Sequence, residues 1–480
     1  MTVSPSPGLD LGPRHLLPMI GLPVFLAIAN QTMVSVALPA IGADLGTLER
    51  LPWLVIGYML ALTISGPVYG VLGDIWGRPR MLQTALGLYA AGTVLAALAE
   101  TIEVLALGRI VQGLGGGGLM SLSQALIGDT VSPRNRGRAQ GYVATLGVLA
   151  NTLGPLLSGL FVAYLGWRAL FLMTLPLALL AGWSLWRADL PRKTTGGRRF
   201  DLGGFTGLLL LVFGLTALTE LLRAGQGGST LTIATLTCLA GIALLIAVER
   251  RAQNALFPPD LLARPAISRA AAMALFHGAA LVSFITVVPL FHAILRADGS
   301  AETGLSMLAL TVAFGVGGMV TGNLITWTGR TALFPTLSLP IALAGLLTIG
   351  SHGADWPRAG LLAVYTLTGL SLGTVMATVH TTVQSDAPDR LRGRAAGLIT
   401  FFRSIGAIAG TSIVSLVLFR YAPIEAGASA GTVLSGSVHI DPATLGGWHS
   451  AFRASFITIA VFTAGTWAMA VMTPARRVAD

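Results

Sequence analysis

The polypeptide alternates runs of about 20 apolar residues with short polar links, a pattern that only a polytopic helical membrane protein accommodates easily. Of its 480 residues, 54% are hydrophobic and 10% are charged. An ordinary soluble domain carries about 25% charged residues. The chain has 60 glycines, many of them inside the apolar runs. There they let helix backbones approach where lipid removes the hydrophobic drive for association. About fourteen runs are long enough to cross a bilayer, which predicts an all-α integral membrane fold. The pair at 202–222 and 230–249 is separated by only a short polar link, Arg223–Ser229, and the longest link is Tyr421–His449.

The formal net charge of +10 is distributed in a way that excludes a nucleic-acid partner. Basic residues cluster in alternate links, at Arg78 and Arg80, Arg134–Arg138, Arg192–Arg199, Arg250 and Arg251, Arg390–Arg394, and Arg476 and Arg477. The intervening links carry single arginines, such as Arg168, Arg296 and Arg358. By the positive-inside rule the first set is cytoplasmic, which places both termini inside. The segment Met1–Pro13 lacks a basic n-region and a cleavage site, so no signal peptide is expected. A lone Cys238 excludes an intrachain disulfide and a cysteine-based metal site.

Two short patterns occur twice. Gly70-Val-Leu-Gly-Asp74-Ile-Trp-Gly77-Arg78 aligns with Gly322-Asn-Leu-Ile-Thr326-Trp-Thr-Gly329-Arg330, and Arg134–Gly141 aligns with Arg390–Gly397. Both offsets are about 250 residues, which marks a duplicated membrane half of the kind that builds transporters around a midplane site. Six spans need fewer residues than that offset, and the surplus corresponds to the pair at 202–249. The predicted units are therefore residues 15–187, an inserted pair with linkers at 188–265, and residues 266–473. Because Thr326 stands where Asp74 does, a charged closure is expected in the first half alone.

Charged and polar residues inside apolar runs are functional candidates, because an isolated charge there costs about 2.5–3.5 kcal/mol on insertion scales. Arg109 shares a helix face with Gln112. Its guanidinium stays protonated, so it can orient an anion or an acid but cannot carry a proton. Arg403 is a second intramembrane cation. Asn30, Gln31 and Ser35 give the first run a polar face, which serves either a cavity wall or interhelical hydrogen bonding. Gly154-Pro155, with Gly147 and Gly159 nearby, predicts a bend in the fifth run. Acids are few. Glu220 has apolar neighbours on both sides, and Asp74 and Asp129 end the second and fourth runs. Among His277, His292 and His380, His292 is the preferred titratable candidate. The run Gly115–Gly118 lacks the Lys-Ser/Thr of a phosphate-binding loop, and no link is long enough for a nucleotide-binding domain. These features point away from an enzyme and a bound cofactor, and toward transport driven by a gradient.

These patterns resemble the major facilitator superfamily, in particular its fourteen-span drug:proton antiporter branch. Gly70–Arg80 is similar to the loop motif between the second and third spans. Leu107-Gly108-Arg109-Ile-Val-Gln112-Gly113 is similar to the fourth-span motif, and Gly147–Gly159 to the fifth-span antiporter motif. Thr32–Pro39 and Trp53-x4-Tyr58-x-Leu60 are similar to the first two spans. The resemblance implies two pseudosymmetric six-helix bundles with two inserted helices. It also implies a cytoplasmic gate of Gly70, Asp74, Gly77, Arg78, Arg80 and Asp129, with Arg78 held between the two carboxylates. The implied activity is proton-coupled efflux of drugs or toxic compounds by a monomer in the inner membrane. One departure concerns coupling: the branch commonly has an acid two residues before the first-span threonine, and Asn30 occupies that place. An anionic or zwitterionic metabolite, siderophore or lipid is the alternative cargo, and a non-transporting scaffold or sensor the alternative class.

Overall fold

The structure, a computed structural model, describes residues 17–45, 51–188, 190, 201–223, 228–251, 255–296, 298, 300–423 and 445–473. A π-helical turn, Leu17–Gly21, leads into α1 (Leu22–Leu45), followed by α2 (Pro52–Trp76), α3 (Arg78–Ala97), α4 (Ile102–Thr130), α5 (Arg136–Leu165) and α6 (Arg168–Arg187). A helical pair, α7 (Leu202–Arg223) and α8 (Ser229–Glu249), comes next. The chain continues through α9 (Pro265–Leu295), α10 (Ser300–Thr328), α11 (Leu333–His352), α12 (Arg358–Asp386), α13 (Arg392–Tyr421) and α14 (Leu445–Met472). The described residues contain no strand.

Ten of these helices are long and apolar enough to cross a membrane, namely α2 and α6–α14. The expectation of about fourteen spans is therefore met only in part, and the reason is physical. Helix α4 carries Glu103, Arg109, Gln112, Gln124 and Asp129 along with its four-glycine run, and most of its residues are buried against other helices. A helix enclosed by protein does not need a lipid-compatible surface all round. The link expected between Tyr421 and His449 falls largely outside the described residues.

Local sequence explains the turns. Gly77 ends α2 at φ 94° and Gly329 ends α10 at φ 69°, a left-handed region that costs a side-chain-bearing residue about 1 kcal/mol or more. Their N–H groups cap the preceding helices by donating to the Gly73 and Ile325 carbonyls. Pro79 then restarts the chain in the first turn of α3, where the missing N–H is harmless.

Packing divides the helices into two groups. Helices α1–α6 pack chiefly with one another, through α3–α4, α2–α4, α1–α5 and α3–α6, and helices α9–α14 do the same through α10–α12, α9–α13, α9–α14 and α11–α14. Two seams join the groups, α2 against α13 and α5 against α10. These are the second and fifth helices of each repeat, so the seams exchange under the sequence duplication. The pair α7–α8 lies against α13 and α2, and Leu208, Val212 and Leu245 join the apolar core of the second group.

Glycines set how close the seams run. A Cβ on Gly70 would stand 2.6 Å from the Gly393 carbonyl oxygen, and one on Gly393 would stand 2.6 Å from the Gly70 carbonyl oxygen. The duplicated positions repeat the contact on the other seam, where a Cβ on Gly137 would stand 2.5 Å from the Gly322 carbonyl oxygen. Each copy of the first sequence pattern thus packs against the opposite copy of the second. Overpacking of this kind costs about 1–3 kcal/mol. Gly393→Leu is therefore expected to lengthen the distance between spin labels placed across this end of the two groups. A distance distribution superimposable on that of the wild type would refute the role given to this contact.

Candidate functional site

At the end of the molecule marked by Asp74, the two groups are locked by charge. Asp74 is buried at the last turn of α2 and accepts two hydrogen bonds from Arg78, from Nη2 at 2.9 Å and Nε at 3.3 Å. It also accepts from the backbone N–H groups of Gly393 (3.1 Å) and Arg394 (3.2 Å), the first residues of α13 across the seam. Arg78 Nη1 pairs with Asp129 at the end of α4, and Nη2 donates to the Asp389 carbonyl at 3.0 Å. The guanidinium of Arg392 lies 3.5 Å from Asp129 and 2.7 Å from Asp389, and Arg394 Nε lies 3.8 Å from Asp74. A second layer follows. Arg136 donates to the Gln384 carbonyl at 2.9 Å and the Gly128 carbonyl at 2.9 Å, while Gln384 Nε2 donates to the Gln124 carbonyl at 2.8 Å.

This arrangement corrects the expectation that the charged closure belongs to the first half. The carboxylates come from the first group, but Arg392 and Arg394 reach in from the second. Thr326, at the place equivalent to Asp74, accepts a hydrogen bond from the Arg138 backbone N–H at 2.9 Å, as Asp74 does from Arg394. The duplicated contact persists with a hydroxyl replacing the carboxylate. Arg80 is exposed on α3 and forms no ion pair with another described residue, so it lies outside the network. Arg136, Arg392 and Arg394 were legible only as members of a repeat and Gln384 not at all, with nothing in sequence to aim them at Asp74 and Asp129.

A cavity of about 380 Å³ lies between the groups, lined by α1, α2, α4, α7, α9 and α13. Arg403 sits nine residues beyond Arg394 on α13, about 13 Å along the axis at 1.5 Å per residue, so the cavity lies on one side of the charged closure. Glu220 and Arg403 both line it, as do His277 and Thr63. Glu220, a candidate for the cavity and for coupling, stands on the cavity wall, where α7 packs against α2 and α13.

Other expected cavity residues lie elsewhere. Arg109 is fully buried inside the first group, off the cavity wall. Its Nε donates to the Leu54 carbonyl at 3.1 Å, Nη1 donates to Asn30 Oδ1 and to Gln112 Oε1 (2.7 Å), and the guanidinium stacks over Tyr58 at 4.2 Å. Gln112 passes the chain on to Thr93 at 2.9 Å. Nη2 of Arg109 has no hydrogen-bond partner. Asn30 thus meets Arg109 where a carboxylate would form an ion pair. The side chains of Gln31, Ser35 and Pro155 lie outside the described residues. Helix α5 runs through Pro155 unbroken, with Gly154 buried, Gly147 abutting Ile28 of α1, and Gly159 exposed.

His292 is also away from the cavity. It closes a cluster at the end of α9 opposite the Asp74 lock, with Nδ1 2.7 Å from Asp298 and Nε2 3.1 Å from the Tyr365 hydroxyl. Asp298 also holds Arg296 at 3.1 Å and Arg358 at 3.3 Å. Burial pushes the Asp298 carboxyl up, but the hydrogen bonds from His292 and Arg296 outweigh it and hold the group below the usual carboxylate range. A depressed carboxylate stabilises the fold above its unfolded pKa and loses that contribution only as pH falls through its lower folded value. Asp298 therefore stays ionised from about pH 5 to 8. The described residues contain no cluster of histidine, cysteine and carboxylate able to hold a metal ion.

Removing one partner of a buried ion pair costs about 3–5 kcal/mol, because the other charge is left stranded. Asp74→Asn should shift the balance between the locked and unlocked arrangements by a factor of about 10² or more, read from distances across this end. An unchanged balance would show that the lock is inert. Asn30→Asp, by supplying the counter-charge that Arg109 lacks, should raise thermal stability by several degrees. A lower melting temperature would show that the amide is the better partner there.

The profile of the Major Facilitator Superfamily matches residues 20–411. An uncharacterised superfamily-type transporter of Mycobacterium tuberculosis is 29% identical over 87% of this chain, which spans 61% of that relative's length. Multidrug resistance protein 3 of Bacillus subtilis is 24% identical, with 82% of this chain and 78% of that one covered. Among solved structures, the human organic anion transporter MFSD10 superposes with a TM-score of 0.61 at 17% identity, covering 94% of this chain and all of that one. That likeness extends to the fold alone. Two packing groups, duplicated seams, a central cavity and the matched profile agree: the chain belongs to the major facilitator superfamily of transporters.

Proposed function

We propose that the chain is a secondary active transporter that exports amphiphilic toxic compounds by alternating access, with protons as the counter-ion. The observation that carries this reading is a cavity between two pseudosymmetric groups, closed at one end by ion pairs that cross from one group to the other. Contacts between rigid bodies suit a gate, because rocking the bodies separates together those that Asp74, Arg78 and Asp129 make with residues 389–394, while Arg78 stays paired with both carboxylates inside the first group. Apolar packing closes the interior of the first group, and Leu60, Ile64, Val71 and Ile75 of α2 share a core with the second group, so the seam joins apolar contact with its polar lock. Closure at the Asp74 end makes this an outward-facing arrangement when that end is taken as cytoplasmic, in line with the clustering of Arg134–Arg138 and Arg390–Arg394 there.

The same reading takes α1, α3, α4 and α5 as spans too, for fourteen in all. It places residues 15–187 and 266–473 as the two bundles, with 188–265 as the insert. Both termini are cytoplasmic and the protein works as an inner-membrane monomer. Efflux of toxic compounds is supported by the name of the Bacillus relative and by the largely apolar wall of the cavity.

Proton coupling needs a group that changes charge inside the cavity. Asn30 cannot supply it, and Arg109 does not deprotonate. Glu220 is the carboxylate on the cavity wall, so it takes the coupling role in this reading, with the Asp74–Arg78–Asp129 set as the gate. Burial raises a carboxyl's proton affinity when the cavity closes over it, and hydration lowers it when the cavity opens. Glu220→Gln is expected to abolish export driven by an imposed pH gradient in proteoliposomes while leaving exchange of labelled for unlabelled substrate within about threefold of wild type. Gradient-driven export that survives in Glu220→Gln would remove it from the coupling path, and the absence of both export and exchange in the wild type would favour the scaffold or sensor class.

A further inference from the structure

We infer that Arg403 and His277 form an anion subsite in the central cavity, so that the preferred substrate is an amphiphile carrying one anionic head group. The inference rests on the transporter reading and adds the charge class of the cargo.

Arg403 lines the cavity from α13, and its guanidinium forms no hydrogen bond or ion pair with another described residue. The contrast with the other intramembrane arginines is sharp. Arg78 and Arg394 face carboxylates, and Arg109 is wrapped by carbonyls and amides. Glu220 lines the same cavity from α7 but makes no ion pair with Arg403. His277 and His380 lie close enough to feel the Arg403 charge. Neither offers a negative charge.

His277 adds the second, independent observation. It is completely buried on α9, it lines the cavity, and neither ring nitrogen has a hydrogen-bond partner. Its ring stacks on Phe314 at 6.0 Å with planes 15° apart, which fixes the imidazole while leaving its edge unpaired. The main chains are equally close, since a Cβ on Gly278 would collide with the Arg403 carbonyl. A buried imidazole without a hydrogen-bond partner and a partly exposed guanidinium that pairs with no other described residue therefore share one wall.

A guanidinium without a counter-charge and a buried nitrogen without a partner are both unfavourable in an apolar site. An entering carboxylate, sulfonate or phosphate relieves both: it accepts from the guanidinium fork and from the imidazole N–H. The hydroxyls around them are poor competitors. Thr63, Thr216, Thr286, Thr411 and Ser412 each donate to a carbonyl of their own helix, and none of them accepts from Arg403 or His277. The remaining wall is mostly aliphatic, which suits the body of an amphiphile. A cationic ligand would meet an unpaired guanidinium, and like charges at close range oppose binding.

The test uses one ring with three head groups: indole-3-acetate, indole-3-acetamide and tryptamine. Binding to the full chain in detergent micelles is measured by scintillation proximity. Indole-3-acetate should bind about tenfold or more tightly than either analogue, Arg403→Gln should erase that preference, Arg403→Lys should keep most of it, and His277→Phe should weaken the acid alone. Tryptamine binding as tightly as the acid, no binding of the acid at millimolar concentration, or a preference that survives Arg403→Gln would overturn the inference. Phosphatidylglycerol added to the micelles separates two sources of the anion: competition with the acid assigns the subsite to a lipid head group, and no competition assigns it to a soluble acid. Counterflow of labelled indole-3-acetate in proteoliposomes reads transport separately. Selective binding without counterflow would overturn the transport reading and leave the subsite standing, whereas counterflow that favours tryptamine would do the reverse.

Discussion

Everything in this structure is organised by the attachment of Asp74 to the start of α13. One carboxylate, buried between two six-helix groups, accepts hydrogen bonds from its own helix's exit arginine and from two backbone N–H groups of the other group. The contact is possible only because Gly70 and Gly393 bring the main chains together. Donation from backbone amides at a helix start adds the helix dipole to the charge of Arg78. The seam is thus built from main chain as much as from side chains, and it can hold a precise register while remaining a polar joint that separates as a unit.

The duplicated seam answers why the same two patterns recur. Gly137 meets Gly322 as Gly393 meets Gly70, and Thr326 accepts from the Arg138 N–H as Asp74 accepts from the Arg394 N–H. The repeat preserves the steric and backbone terms on both seams and varies the charge. A hydroxyl gives a neutral hydrogen bond; a carboxylate gives a charge-assisted one, about twice as strong. The strength of closure is therefore concentrated on the α2–α13 seam, next to the pair α7–α8. The linker after that pair joins the same seam: Glu249 accepts from the Leu256 and Phe257 N–H groups, and Arg394 donates to the Ala255 carbonyl.

The intramembrane arginines illustrate three solutions to one physical problem. Arg78 neutralises carboxylates at the gate. Arg109 is held through Nε and Nη1 by neutral acceptors and by the face of Tyr58, which stabilises a cation without a counter-charge. Arg403 is satisfied by neither and faces the cavity. A cation left in that condition is tolerated where a ligand or water meets it, which is why its position carries more functional meaning than its presence.

The apolar period, the glycine content, the basic links and the duplicated patterns are local properties, and they were enough to specify an all-α membrane protein built from two halves; the pairing of Arg78 with Asp74 and Asp129 was implied by the resemblance to a family motif. Period and charge act over a few residues, so they are legible in order along the chain. The span count was less so, because α4 is polar by composition and buried by packing, and composition alone does not say what surrounds a helix. Sequence also placed Arg109, Asn30 and His292 with the cavity and left His277 aside. Which face of each helix turns toward the cavity depends on how α2, α7, α9 and α13 cross, and that is decided by contacts between residues hundreds of positions apart. The same long-range packing brought Arg392 and Arg394 to the gate, set Glu220 opposite the second group, and left Arg403 and His277 unpaired on one wall.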